Sequence, residues 1–255
     1  MNKIIKYIVL DIARNKIVMA YTAFLLLISL SVFNLEDNSA KGIISLLNIT
    51  LIIVPLVSIV FATIYLYNAA EFIELLVSQP IRRTRLMISL FTGLALSLSL
   101  AFLIGAGIPV LIYHPAGAGG ILVAVGTALT LVFTSLAVLA AVLTRDKAKG
   151  IGVAILLWFY FALIFDGIIL FILFQFSEYP MEKASIALST LNPIDLGRII
   201  ILLKMDISAM MGYSGAVFRQ FFGGLWGSLY AGVILLLWIT APLFWALRRF
   251  ARKDL

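Results

Sequence analysis

Six long apolar runs, separated for the most part by short polar stretches, leave this chain little choice of fold. They lie near residues 17–33, 43–67, 87–112, 120–143, 151–176 and 225–247. Each is about long enough to cross a hydrocarbon core of roughly 30 Å, which takes about 20 apolar residues in a helix. No water in that core can satisfy a backbone N–H or C=O, so each run must close its hydrogen bonds within itself. The expectation is an all-α membrane protein with six transmembrane helices. With 63% of residues hydrophobic and only 12% charged, a soluble domain is excluded.

Ahead of the first run, Ile4, Ile5, Ile8, Val9 and Ile12 gather on one side of a helical wheel, with Lys3, Lys6 and Arg14 opposite. That is the pattern of a helix lying in the membrane interface. Residues 1–16 are read as this interfacial helix and 17–255 as the six-span domain. Two parts of that domain are not span: a polar segment at 68–86 and a long outer segment at 177–224. The first long run is needed as a span and lacks a small-residue cleavage site, so no cleavable signal peptide is expected.

The formal charge of +7 does not point to nucleic acid, because the basic residues form clusters between spans. Lys3, Lys6, Arg14 and Lys16, then Arg82, Arg83 and Arg85, then Arg145, Lys147 and Lys149, then Arg248, Arg249, Arg252 and Lys253 share one side. These are 14 of the 19 Lys and Arg, and Lys41, Lys183, Arg198, Lys204 and Arg219 take the other. By the positive-inside rule both termini and segment 68–86 are expected in the cytoplasm of a cell with this chain in its inner membrane, and segment 177–224 outside.

Segment 68–86 crowds Glu71, Glu74, Gln79, Arg82, Arg83 and Arg85 between two apolar runs. Its first half suits a short helix with Phe72, Leu75 and Leu76 on one side and Glu71 and Glu74 on the other, ended by Pro80. Carboxylates flanked by arginines on such a surface suit a charged docking face better than acid–base chemistry. A solvated face with no partner is the plainer alternative.

The run Glu74-Leu75-Leu76 followed by Ser78-Gln79-Pro80 and then arginines resembles the segment joining the second and third spans in ABC-2 type permeases, the membrane subunits of ATP-binding-cassette transporters. Where that family usually has G-E-x-E-x-G-T, this chain has Asn68-Ala69-Ala70-Glu71-Phe72, and Leu90 stands where a lysine is frequent. The resemblance implies an ABC-2 (type V exporter-like) permease fold. It also implies that Glu71, Glu74, Leu75, Gln79, Pro80, Arg82 and Arg83 face a separate ABC ATPase dimer, and that a second copy of this chain completes the membrane unit. No G-x-x-x-x-G-K-[ST] run occurs in the sequence. ATP and Mg²⁺ are therefore expected on the partner, with no cofactor and no enzymatic activity in this chain.

Asp166 is the one acid deep in an apolar run, where an ionised carboxylate costs roughly 2.5–3.5 kcal/mol on insertion scales. Water or a hydroxyl of another span is its plainest partner; a part in substrate handling or gating is the functional alternative. Farther on, Asn192-Pro193-Ile194-Asp195 reads as a helix start, with Asn192 as cap, Pro193 at the first position and Asp195 near the positive end of the dipole. That helix is expected to run to about Lys204 and, being apolar nearly all round, to pack against the spans or dip into the outer leaflet.

Phe165-Asp166 together with Asn192, Pro193, Asp195 and Arg198 resembles motifs of the ABC-2 permease subgroup that serves copper-site maturation of nitrous-oxide reductase. This implies outer contacts of Asn192, Asp195 and Arg198 with an external β-helix protein. Capping leaves Arg198 no structural task, so its side chain is expected to project toward solvent or that partner. Met205, Met210, Met211 and His114 show no repeated ligand spacing and the chain has no cysteine, so no metal site is expected. The alternatives are a general exporter of a lipid, peptide or small molecule, or an ATP-independent secondary transporter. The latter is disfavoured, since the first three and last three spans show no convincing repeat and only one charge is embedded.

Overall fold

Helix α7 (Ala118–Leu143) is the axis of the bundle, apolar on every side and the most buried of the spans. The computed structural model describes residues 2–35, 39–78, 82–113, 117–176, 182–205, 221–222 and 224–252. Among these, every regular element is a helix. The spans are α2 (Lys16–Leu35), α3 (Ser39–Asn68), α5 (Arg83–Phe102) continuing into α6 (Ile108–Tyr113), α7, α8 (Lys147–Phe159) continuing into α9 (Phe165–Gln175), and α12 (Leu225–Ala251). Helices α3, α5 and α12 pack around α7. The six expected spans are thus all present, each within a few residues of its sequence-based bounds.

Two of the continuous spans contain a turn of π-helix, at Leu103–Gly107 and Tyr160–Ile164. Several hydroxyls inside the bundle are satisfied within their own helices, although those of Tyr21, Ser29, Ser58 and Ser99 are buried without a partner among the described residues. Thr63, Ser97, Thr130 and Thr134 each donate to the carbonyl four residues back, at 2.7, 2.8, 2.9 and 2.7 Å, as a medium without water requires. Pro55 and Pro242 are accommodated within α3 and α12, a placement common in membrane helices.

Helix α1 (Asn2–Ala13) is amphipathic as expected, and it does more than rest on the membrane. Ile8 and Ile12 are fully buried because α1 packs along α5. Tyr65 of α3 donates to Asp11 at 3.1 Å, and the Tyr7 ring lies 5.5 Å from Phe72. The interfacial helix is therefore fastened to the third span and to α4 (Ala70–Val77).

On the opposite face α10 (Glu182–Thr190) and α11 (Pro193–Lys204) form a V bent by 115°. Trp238 donates its indole N–H to the Thr190 carbonyl at 3.1 Å. The Phe161 ring sits 5.3 Å from Trp238 and 6.2 Å from Phe133. Phe133 and Trp238 lie near the middle of α7 and α12, so the point of the V reaches the middle of the span layer. It is a re-entrant pair, entering and leaving by the face where α9 ends and α12 begins. Gly197 permits the close fit of α11 on α7: a Cβ there would lie 2.7 Å from Val125 Cγ1.

Candidate functional site

Irregular backbone at membrane depth is tolerated only where protein groups satisfy it, and Asn192 does this at the point of the V. It is fully buried. Its Oδ1 accepts the N–H of Ile194 at 3.0 Å, capping α11 as the sequence predicts, while its Nδ2 donates to the Phe161 carbonyl at 2.9 Å. Phe161 belongs to the π-turn between α8 and α9. One side chain thus starts the re-entrant helix and ties it to the fifth span. π-turns recur at functional positions in helices. Neither this turn nor that at 103–107 has a signature in the hydrophobic pattern, which runs unbroken through both.

One turn farther out along both elements, Arg198 Nη1 is 2.9 Å from Asp166 Oδ2 and 3.1 Å from Asp195 Oδ1. This supplies the partner that Asp166 lacks in the sequence, a guanidinium in place of the expected water or hydroxyl. It also gives the direction of the side chains expected at the outer surface. Arg198 turns inward onto two carboxylates and is only about a third exposed (34%). Asn192 and Asp195 are buried because capping and pairing draw them into the bundle. Two acids share one base, which leaves the cluster a formal negative charge when all three are ionised.

At the other end of the bundle α4 presents Glu71, Glu74 and Leu75 outward, with Leu75 67% exposed. The sequence placed Leu75 with Phe72 and Leu76 on the apolar side. Instead Ile73 makes the buried contact, with Phe72 and Leu76 half-buried beside it. The reason is that α4 leaves the end of α3 and lies against α5 and α1, so the inward direction is set by those neighbours. Arg82 is exposed just before α5, and Arg83, its first residue, is half-buried. Gln79 and Pro80 lie outside the described residues, as do His114, Met210 and Met211.

The root of α4 is tied to the loop between α7 and α8. Tyr67, at the end of α3, donates to the Thr144 carbonyl at 3.2 Å, and its hydroxyl also meets that of Thr144. Lys147 Nζ donates to Asn68 Oδ1 at 2.7 Å. Gly150 gives Tyr67 its place: a Cβ at 150 would lie 2.1 Å from the tyrosine oxygen and 2.4 Å from its Cε2. Behind α4 opens a cavity of about 360 Å³ with Tyr67, Ile73, Met87, Arg145 and Phe250 in its wall. Sequence reasoning did not find these contacts. Tyr67 and Thr144 sit at the ends of two apolar runs, and nothing in either run specifies which ends meet.

A bundle of six apolar, span-length helices with a re-entrant pair on one face and a short amphipathic helix on the other is a multi-pass membrane protein of the permease kind. The chain belongs to the ABC-2 family of transporter permeases: the family described as ABC-2 family transporter protein matches residues 68–255. It is 32% identical over 180 residues to the probable ABC transporter permease protein NosY of Pseudomonas aeruginosa, an alignment covering 66% of this chain. The same alignment covers 66% of that relative, just under two thirds of its length.

Proposed function

We propose that this chain is the membrane subunit of an ABC transporter that couples ATP hydrolysis by a separate ATPase dimer to work done across the inner membrane. Two copies form the membrane unit, both termini are cytoplasmic, and the ATPase docks on α4. The observation that carries this reading is the outward face of α4, where two carboxylates stand beside an exposed leucine on a helix whose root is hydrogen-bonded to the α7–α8 loop. Helix α7 packs against the re-entrant pair at Val125, in its first half, and ends at Leu143, one residue before Thr144. A displacement of α4 therefore has a rigid path from the ATPase side to the outer face. The likeness to NosY supports a NosY-like role, with force delivered to a periplasmic β-helix protein of the NosD kind during copper-site maturation of nitrous-oxide reductase.

The inward turn of Asn192, Asp195 and Arg198 favours a second reading. With all three side chains engaged inside the chain, the outer motif is not displayed to a partner, and the protein then acts as a general exporter of a lipid, peptide or small molecule. Charge reversal by Glu74→Lys tests the shared part of both readings. Co-purification with the ATPase should fall, or hydrolysis should lose its coupling to transport, while membrane insertion is unchanged. Intact co-purification with intact ATP-dependent function would overturn docking on α4. Copper loading of nitrous-oxide reductase in cells lacking this permease separates the two readings: loss supports the NosY-like role, and normal loading supports the exporter.

A further inference from the structure

Where α7 and α12 finish side by side, on the face that carries most of the Lys and Arg, they enclose a basic pocket of about 540 Å³. Its polar wall is Arg145, Arg248, Arg249 and Arg252, and its apolar wall includes Leu143 and Trp245. No acidic side chain lines it among the described residues. Asp146, next to Arg145 in sequence, is turned away to the start of α8, where its Oδ1 accepts the Lys149 N–H at 2.8 Å. Arg248 stacks over the Phe244 ring at 4.9 Å, an arrangement that steadies a guanidinium without neutralising it.

One or two arginines would offset the negative ends of the two helices. Four, converging from the end of α12 and from the α7–α8 loop on one concave space, leave an excess of positive charge that an anion would relieve. The pocket lies at the level where the spans leave the hydrocarbon, and its rim is apolar, with Leu143 49% and Trp245 51% exposed. A soluble anion would use the arginines and leave that rim idle, whereas a lipid uses both. Basic pockets between spans on the cytoplasmic side are suited to anionic headgroups, and guanidinium forks match phosphate oxygens in pairs.

We propose that the α7–α12 pocket binds an anionic phospholipid, its phosphodiester held by Arg145, Arg248, Arg249 and Arg252 and its acyl chains lying along Leu143 and Trp245. Arg145 also lines the cavity behind α4. The headgroup is thus one side chain away from the proposed docking helix.

The test is native mass spectrometry of the full-length permease in detergent, titrated separately with dioleoyl-phosphatidylglycerol and dioleoyl-phosphatidylcholine. Phosphatidylglycerol should bind more tightly, and each Arg→Gln change in the pocket should weaken it roughly fivefold. Arg145→Gln/Arg249→Gln/Arg252→Gln together should lower affinity roughly 100-fold, while Lys3→Gln/Lys6→Gln, on the same face but outside the pocket, should leave it unchanged. Circular dichroism checks the fold of each variant. Should the triple variant not fold, Arg145→Lys, which keeps the charge but loses the fork, should still bind more weakly than the parent. Three results would overturn the proposal: equal binding of the two lipids, equal losses from the lysine control and the pocket variant, or displacement of phosphatidylglycerol by an equal concentration of inorganic phosphate.

Discussion

Arg198 of α11 and Asp166 of α9 are 32 residues apart in sequence, yet their charged groups stand 2.9 Å apart. The contact joins the re-entrant pair to the fifth span about a turn outward of the tip of the V, where an unpaired charge is still costly. Breaking such a pair from one side strands the other charge, and because Asp195 also pairs with Arg198 at 3.1 Å, loss of Arg198 strands two carboxylates whereas loss of Asp166 leaves Arg198 paired. Since both side chains are about a third exposed (34% and 31%), the cost should fall below that of a fully buried pair.

Arg198→Gln should therefore lower stability in detergent by about 1–3 kcal/mol, and Asp166→Asn alone by less than about 1 kcal/mol. The double variant should lose less than Arg198→Gln alone, since only Asp195 is then stranded. A thermal-denaturation cycle over the four proteins measures this, and additive losses would show that the pair has no coupling.

Asn192→Ala should be more damaging than the removal of an ordinary helix cap. It removes the cap of α11, worth about 1 kcal/mol, and also strips the Phe161 carbonyl of its side-chain donor inside the bundle, worth about 1–3 kcal/mol more. Asn192→Ser should keep a neutral cap and lose the second bond. A stability for Asn192→Ser midway between the parent and Asn192→Ala is the expected result, read from detergent melts of the three proteins.

Gly150→Ala should force Tyr67 out of place, because the added methyl would sit 2.1 Å from the tyrosine oxygen. Overpacking of this kind costs about 1–3 kcal/mol. In the proposed mechanism it should also reduce ATP-coupled function at temperatures where the protein remains folded. Gly150→Ala/Tyr67→Leu should recover stability by opening space but not coupling, since the bonds to Thr144 stay lost. Melts paired with ATP-dependent activity distinguish the two effects.

Orientation can be read with single cysteines, since the chain has none. Ser78 and Asn34 are exposed in the fold. In intact cells an impermeant thiol reagent should label Asn34→Cys but not Ser78→Cys. Labelling of Ser78→Cys would invert the topology and remove α4 from the ATPase side.

The number of spans, the interfacial character of α1 and the start of α11 at Asn192-Pro193 were all written in the local sequence. Run length, helical periodicity and capping chemistry act over a few residues and need no knowledge of neighbours. The resemblance around Ser78-Gln79-Pro80 likewise led to the family from a short run. What local pattern cannot decide is which lipid-like faces meet, because in hydrocarbon one apolar surface is as good as another and packing is chosen by small shape differences. Tertiary structure therefore decided that Leu75 faces out and Ile73 in, and that Gly150 opens toward Tyr67. It also decided that Arg198, which the sequence sends outward, turns onto Asp166 and Asp195. The last follows from electrostatics: once the V of α10 and α11 reaches membrane depth, a guanidinium and a carboxylate that come within reach stabilise each other far more than either could alone.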